Sequence, residues 1–193
     1  MKVLCLDRRS DGTFDVTAGV DSAVLRPGEP VFVPEPVSQW RSAIVPVIRI
    51  SRLGMSIRES RARNYYHEAA LFHMLTPACP DACEGLPPYI LDRAFSPGEW
   101  LDISDAASDA VLSIGLEVAP IASGESPVGA CGSFSLESLG ADAAVALLSR
   151  HLTFKTGDLL VFTGARIEAP APRLDTCLTA TLDGKPNLSI RIK

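Results

Sequence analysis

The C-terminal end of the chain is its most restrictive stretch. Leu178, Ala180 and Leu182 alternate with Thr179 and Thr181, Asp183-Gly184 makes a tight turn, and Leu188, Ile190 and Ile192 alternate back. A period of two puts the apolar residues of each strand on one face, and Asp-Gly is the dipeptide a two-residue hairpin loop requires. A chain closed by such a hairpin is committed to antiparallel sheet.

Other segments extend that sheet. Lys2–Leu6 and Pro30–Val33 read as short strands, and Ser42–Ser51 is nearly continuous apolar and β-branched, the pattern of a buried strand. Pro46 inside it argues for an edge position or a bulge, because proline cannot donate to a ladder. Ala110–Val118 alternates and pairs with Val128–Leu136, and Asp158–Thr163 is a further strand. Two segments read as helices. Ser56-Ile57-Arg58-Glu59 has the form of a capping box and predicts a helix through Arg63, Tyr66 and Ala70 that stops by Thr76-Pro77. Leu139–Leu152 carries apolar residues at 139, 143, 147 and 148, with His151 in the last turn. The sum is an α+β class dominated by antiparallel pairing, with two main helices.

Size and charge exclude several functions. A chain of 193 residues with 47% apolar and 21% charged residues suits one globular domain, 1–193. No run approaches the roughly 18 apolar residues of a membrane span, and the N-terminus meets charge too early for a signal peptide. A net charge of −5 disfavours nucleic acid and anionic membrane as partners. Five cysteines, an odd and sparse count, read as reduced thiols in a cytoplasm.

Several segments resemble the fumarylacetoacetate hydrolase family. The fullest match is Leu152-Thr153-Phe154-Lys155-Thr156-Gly157-Asp158-Leu159-Leu160-Val161-Phe162-Thr163-Gly164, where the family carries a helix and then "TLKxGDxIxTGTP". Arg49-Ile50-Ser51-Arg52-Leu53-Gly54 followed by Tyr65-Tyr66 is similar to a bacterial branch reading "RxxRLGK…RYYDE", and Asp21-Ser22-Ala23-Val24-Leu25 to its "PDSALL". Leu188–Ile192 resembles its last strand. The likeness runs from about residue 20 to the end, leaving 1–20 as a divergent segment. It implies the family's mixed β-roll, usually built as a homodimer, and metal-assisted chemistry on β-dicarbonyl or 2-oxo acids. A Mg²⁺ or Mn²⁺ held by carboxylates would polarise the enolate oxygen.

Carried over residue by residue, that chemistry disappears. The family's Glu-x-Glu falls on Ala43 and Val45, and its third ligand, an aspartate, on Met74. The active-site lysine falls on Arg93, and the "TGTP" loop becomes Thr163-Gly164-Ala165-Arg166. The lid segment that supplies a base has no counterpart between Asp7 and Phe14. The resemblance therefore implies a degenerate, metal-free member with no cofactor. Arg93, Thr163, Gly164 and Arg166 would line the vestigial pocket of a dimeric scaffold or a small-anion binder. A small carboxylate suits paired arginines, and an active paralogous subunit is a second kind of partner. The alternative is an active Mg²⁺- or Mn²⁺-dependent hydrolase, decarboxylase or tautomerase whose ligands are relocated among Glu35, Glu59, Glu68, Asp81 and Glu84.

Remaining residues read more plainly. His67, His73, Cys79 and Cys83 have ligand chemistry but a spacing that matches no standard zinc pattern. Cys131 and Cys177 read as small buried hydrophobes. Trp40 and Trp100 read as core or interface aromatics, and Arg58, Arg61 and Arg63 as a solvated face. No spacing supports a Ser–His–Asp or Cys–His arrangement.

Overall fold

The computed structural model describes residues 1–79, 88–121 and 126–193. Among these residues twelve strands form two sheets. The larger contains β1 (Val3–Arg8), β2 (Phe14–Gly19), β3 (Trp40–Ile50), β4 (Tyr66–Pro77), β5 (Phe95–Pro97) and β9 (Leu159–Val161) in the order β2-β1-β9-β3-β4-β5. Short β6 (Leu101–Asp102) adds to β4, and β10 (Ile167–Glu168) to β3. The smaller sheet is β12-β11-β7-β8, from β7 (Leu112–Pro120), β8 (Val128–Phe134), β11 (Thr176–Leu182) and β12 (Lys185–Ile192). Every named strand pair is antiparallel except β1–β9, which is parallel. The class is α+β, mostly strand. The C-terminal hairpin forms as expected, with Asp183 at φ +55° and Gly184 at +73°, and a register shift at Ala180/Thr181.

The largest departure from expectation is β4. The helix expected over 56–76 is a single turn, α1 (Glu59–Ala62), a 3-10 turn at Arg63–Tyr65, and then a twelve-residue strand. Ser56 has φ +52° and spends its backbone N–H on the Ser149 carbonyl, so Arg58 becomes the N-cap, with no side-chain cap. Ala69–Leu75 is buried throughout because the larger sheet is covered on both faces. Leu71 and Leu75 face one core, whereas Ala70, Phe72 and Met74 face the other. A strand buried on both sides loses the period of two, and Glu, Ala, Leu and Met then suggest helix. Tertiary burial overrides that propensity.

Other departures are smaller. β3 is a central strand, so Pro46 sits at neither edge. Its carbonyl accepts from Phe162 N–H at 3.0 Å, on the side where β9 gives way to β10, and that gap requires no donor from residue 46. The expected helix at 139–152 starts earlier and breaks at Gly140 (φ +67°) into α2 (Leu136–Leu139) and α3 (Ala141–Ser149), leaving His151 beyond its end. Pro30–Val33 contributes only a bridge from Val31 to Ile192.

One core lies between the two sheets and α2–α3, joining Ile44, Ile48, Leu71 and Leu160 to Leu116, Leu178, Ile190, Val145 and Leu148. A second lies on the opposite face of the larger sheet. The N-terminus is tied in by Asp158, whose buried carboxylate accepts from Lys2 N (2.8 Å), Lys2 Nζ (2.7 Å) and Lys155 N (2.8 Å). Burial would raise this carboxyl, but those three donors hold it below its ordinary value.

Candidate functional site

The second core brings the expected ligand positions together. Strand register sets Ala43 opposite Met74 and Val45 opposite Phe72, so Ala43, Val45 and Met74 share one face of β3 and β4. Their exposures are 2%, 0% and 2%. β5 flanks β4 in the same sheet and sets Phe95, fully buried, opposite Met74 in the same cluster. Tyr89 stacks on Phe95 at 6.0 Å between centroids, and Trp100 meets Phe72 edge-on at 5.6 Å. Ala23, Ala94, Leu91 and Cys5 complete the cluster, and burial pushes the Cys5 thiol up to about 12. At its rim the Arg49 guanidinium lies 4.5 Å from the Trp100 ring centroid and pairs with Glu68.

A hard divalent cation requires several oxygen ligands. This face offers alanine, valine, methionine and phenylalanine side chains, which do not fit one. Among the described residues, no group of three His, Cys, Asp or Glu side chains is placed to hold a metal ion. Glu35 and Glu59 are exposed on separate segments, and Glu68 is paired with Arg49. Asp81, Cys83 and Glu84 lie outside the described residues. His67 and His73 stand six residues apart on one strand, roughly 20 Å, with His67 exposed and His73 buried.

Three of the expected pocket residues, Thr163, Gly164 and Arg166, lie on one turn, where Arg166 Nη1 donates to the Thr163 carbonyl at 3.5 Å. Thr163 is buried, and its hydroxyl donates to the Leu6 carbonyl at 3.1 Å. Gly164 backs onto Asp7, where a Cβ would collide, and borders a hollow of about 350 Å³ with Arg8, Ser138 and Leu139. Arg166 is exposed and bound to Glu168 at 2.7 Å, which raises its already high pKa. Arg93, held at φ +63°, is exposed beside a separate hollow of about 160 Å³ formed with Phe32, Trp40 and Leu91. Cys131 is exposed and Cys177 half-buried, against the expectation of burial for both.

One polar group escaped the sequence reading. Ser42 Oγ hydrogen-bonds His73 Nε2 across β3 and β4, facing the inter-sheet core. His73 Nδ1 and the Ser96 hydroxyl, which are in register across β4–β5, are buried without partners. Burial holds the imidazole neutral by lowering its pKa to about 4. With Ser42 at 1% and His73 at 0% exposure, no substrate reaches this pair. Reading 66–77 as a strand antiparallel to 40–50 is the signal that would have found it.

No family model and no curated protein matches the chain. Solved structures do. The 2-hydroxyhepta-2,4-diene-1,7-dioate isomerase from Mycobacterium marinum superposes with a TM-score of 0.76 at 16% identity, over 99% of this chain and 73% of that one. Fumarylpyruvate hydrolase from Pseudomonas aeruginosa, solved in complex with Mn²⁺ and pyruvate, gives 0.72 at 19% identity over 100% and 89%. The 5-carboxymethyl-2-hydroxymuconate delta-isomerase from Mycobacterium smegmatis gives 0.72 at 14% over 99% and 78%.

The chain has the fumarylacetoacetate-hydrolase fold. On that fold a scaffold shared with hydrolases and isomerases carries, at Ala43, Val45 and Met74, an apolar seal. Among the described residues no helix is long and apolar enough to cross a membrane.

Proposed function

We propose that this protein is a catalytically silent form of the fumarylacetoacetate-hydrolase fold, retained as a scaffold or partner subunit. The observation that carries the reading is the sealed face: Ala43, Val45 and Met74 lie together with Phe72 and Phe95 in a cluster closed to water. Enolate chemistry requires a polarising charge at the reacting oxygen, and this face presents none. Four described cysteines are free thiols, which supports a reducing, cytoplasmic setting.

The test joins calorimetry to turnover. Chelator-stripped protein is titrated with Mn²⁺ and Mg²⁺, then assayed on oxaloacetate and an acylpyruvate. Absence of binding to millimolar metal and absence of turnover are expected. Stoichiometric binding with metal-dependent turnover would instead support the active-enzyme reading, with ligands drawn from elsewhere in the chain.

The small-anion reading is supported by the hollow where Arg93 stands beside Phe32, Trp40 and Leu91. It predicts that pyruvate binds there and that Arg93→Ala abolishes the binding.

A further inference from the structure

The chain is acidic as a whole but not everywhere. Residues 51–61 and 149–157 hold Arg52, Arg58, Arg61, Arg150 and Lys155 against one carboxylate, Glu59. They carry +4 in a chain of net −5, so the rest carries −9. The fold lays the two segments side by side. Gly54 and Phe154 exchange backbone hydrogen bonds at 3.2 and 2.8 Å, and Ser56 N–H donates to the Ser149 carbonyl at 2.7 Å. All five cations are exposed, and among the described residues none enters an ion pair. Asp158, just beyond the second segment, is buried and its carboxylate is taken by Lys2 and the Lys155 N–H. The Gly54–Phe154 pairing also sets what projects. Phe154 is fully buried and Gly54 backs onto the Tyr65 ring. Alternation then turns Leu53 and Met55 outward beside Lys155 and Thr153, and Met55 Sδ accepts from the Thr153 hydroxyl at 3.6 Å. Leu53 is 67% exposed and Met55 58%, two large apolar tips among cations.

We propose that this face docks on an anionic lipid bilayer, with Leu53 and Met55 entering the headgroup layer and the surrounding arginines and Lys155 meeting lipid phosphates and carboxylates. Apolar insertion joined to attraction for anionic lipid is how interfacial proteins hold a membrane. Each Lys or Arg close to such a surface strengthens binding roughly fivefold. The total charge of −5 opposes this only if it acts as one lump. Screening limits the reach of an exposed charge to about 8 Å at physiological salt, so a local patch attracts while carboxylates on other faces are damped. An acidic protein segment is the rival occupant. Protein partners bind most tightly where anchor side chains fill pockets. Here the apolar side chains project instead, and the space beneath Gly54 is filled by Tyr65. Projecting tips suit a soft surface that yields to them.

The inference goes beyond the proposed function and holds whether or not the chain is catalytically silent. The whole chain is sedimented with vesicles of phosphatidylcholine containing about one-third phosphatidylserine, and with vesicles of phosphatidylcholine alone. Binding to the first and not the second is expected. Arg52 and Lys155 are exposed, so the double variant Arg52→Gln, Lys155→Gln leaves the core intact and should weaken binding roughly 25-fold. Leu53→Ser should weaken it about tenfold or more. Both variants should keep the far-ultraviolet circular dichroism of the native chain. Failure to sediment with anionic vesicles, or equal binding by the native chain and both variants, overturns the proposal. Binding to poly-glutamate without binding to vesicles overturns it in favour of an acidic protein partner. Metal titration and turnover decide catalytic silence separately.

Discussion

Val45 gives the sharpest test of the sealed face. Its side chain is 0% exposed, in register with Phe72 and one pleat from Ala43. Val45→Glu returns a carboxylate to one of the positions where the family resemblance expects a ligand. If the face is dry, three costs follow. Losing a buried valine costs about 1.5–3 kcal/mol. Leaving a polar group without a partner costs about 1–3 kcal/mol, and the longer side chain adds about 1–3 kcal/mol of crowding. The neutral acid should therefore destabilise by at least about 3.5 kcal/mol, a fall in Tm of roughly 7–14 °C for a chain of this length. Ionisation adds more. Burial raises the folded-state pKa of the introduced carboxyl above the free value of about 4.3, so the folded state holds its proton longer than the unfolded state. Stability then falls as pH rises from about 4.3 towards that raised pKa, at about 1.4 kcal/mol per pH unit. Val45→Gln has the same shape and no charge, so its cost should not change with pH. Denaturant unfolding of both variants at pH 5 and pH 7, with and without Mn²⁺, separates the terms. Equal stability of the two variants at pH 7, or a Tm of Val45→Glu raised by Mn²⁺, would refute the dry seal.

Four further substitutions probe the frame. Native stability should decline as pH falls from about 6.5 towards 4, by up to about 1.4 kcal/mol per pH unit, because unfolded His73 takes a proton that the buried ring refuses; His73→Leu should flatten that slope in denaturant titrations. Asp158→Ala removes three hydrogen bonds and leaves the Lys2 and Lys155 backbone N–H groups without their acceptor, a loss of about 1–3 kcal/mol for each stranded donor. Lys2→Ala should cost about 1 kcal/mol or less, because the Lys2 side chain is 35% exposed. Gly140→Ala would hold alanine at φ +67° with its Cβ 3.0 Å from the Phe14 ring and 3.1 Å from Arg8, a cost of about 1–3 kcal/mol readable as a lowered Tm.

What the sequence revealed follows from where water is. The C-terminal hairpin and the β7–β8 pair each carry one wet face, so alternation survives and was legible. β4 has no wet face over Ala69–Leu75, so its alternation vanished and a helix was expected in its place. That error hid the site as well. With 66–77 read as helix, Met74 could not be set opposite Ala43, nor His73 beside Ser42. Pro46 misled for a related reason: a proline excluded from most ladders is harmless where the neighbouring strand has a gap. The absence of carboxylates at 43, 45 and 74 was plain in the letters alone. That those positions gather on one face beside Phe95 required the register. That Arg93 borders a different hollow from Gly164 required the fold too.

The parallel pairing of β1 with β9 carries a consequence for how the molecule is made. Lys2 binds Asp158 across 156 positions of sequence, so the first strand emerges from the ribosome long before its neighbour exists. At about 5–20 residues per second, that wait is on the order of 8–30 seconds. β3 and β4, separated only by α1 and its flanking turns, can pair as soon as they emerge. Contacts this distant in sequence slow closure of a sheet, and until closure the apolar side of Val3 and Cys5 stands uncovered. The β1–β9 contact therefore waits on synthesis of most of the chain, whereas β1–β2, β3–β4 and β11–β12 each join near neighbours in sequence.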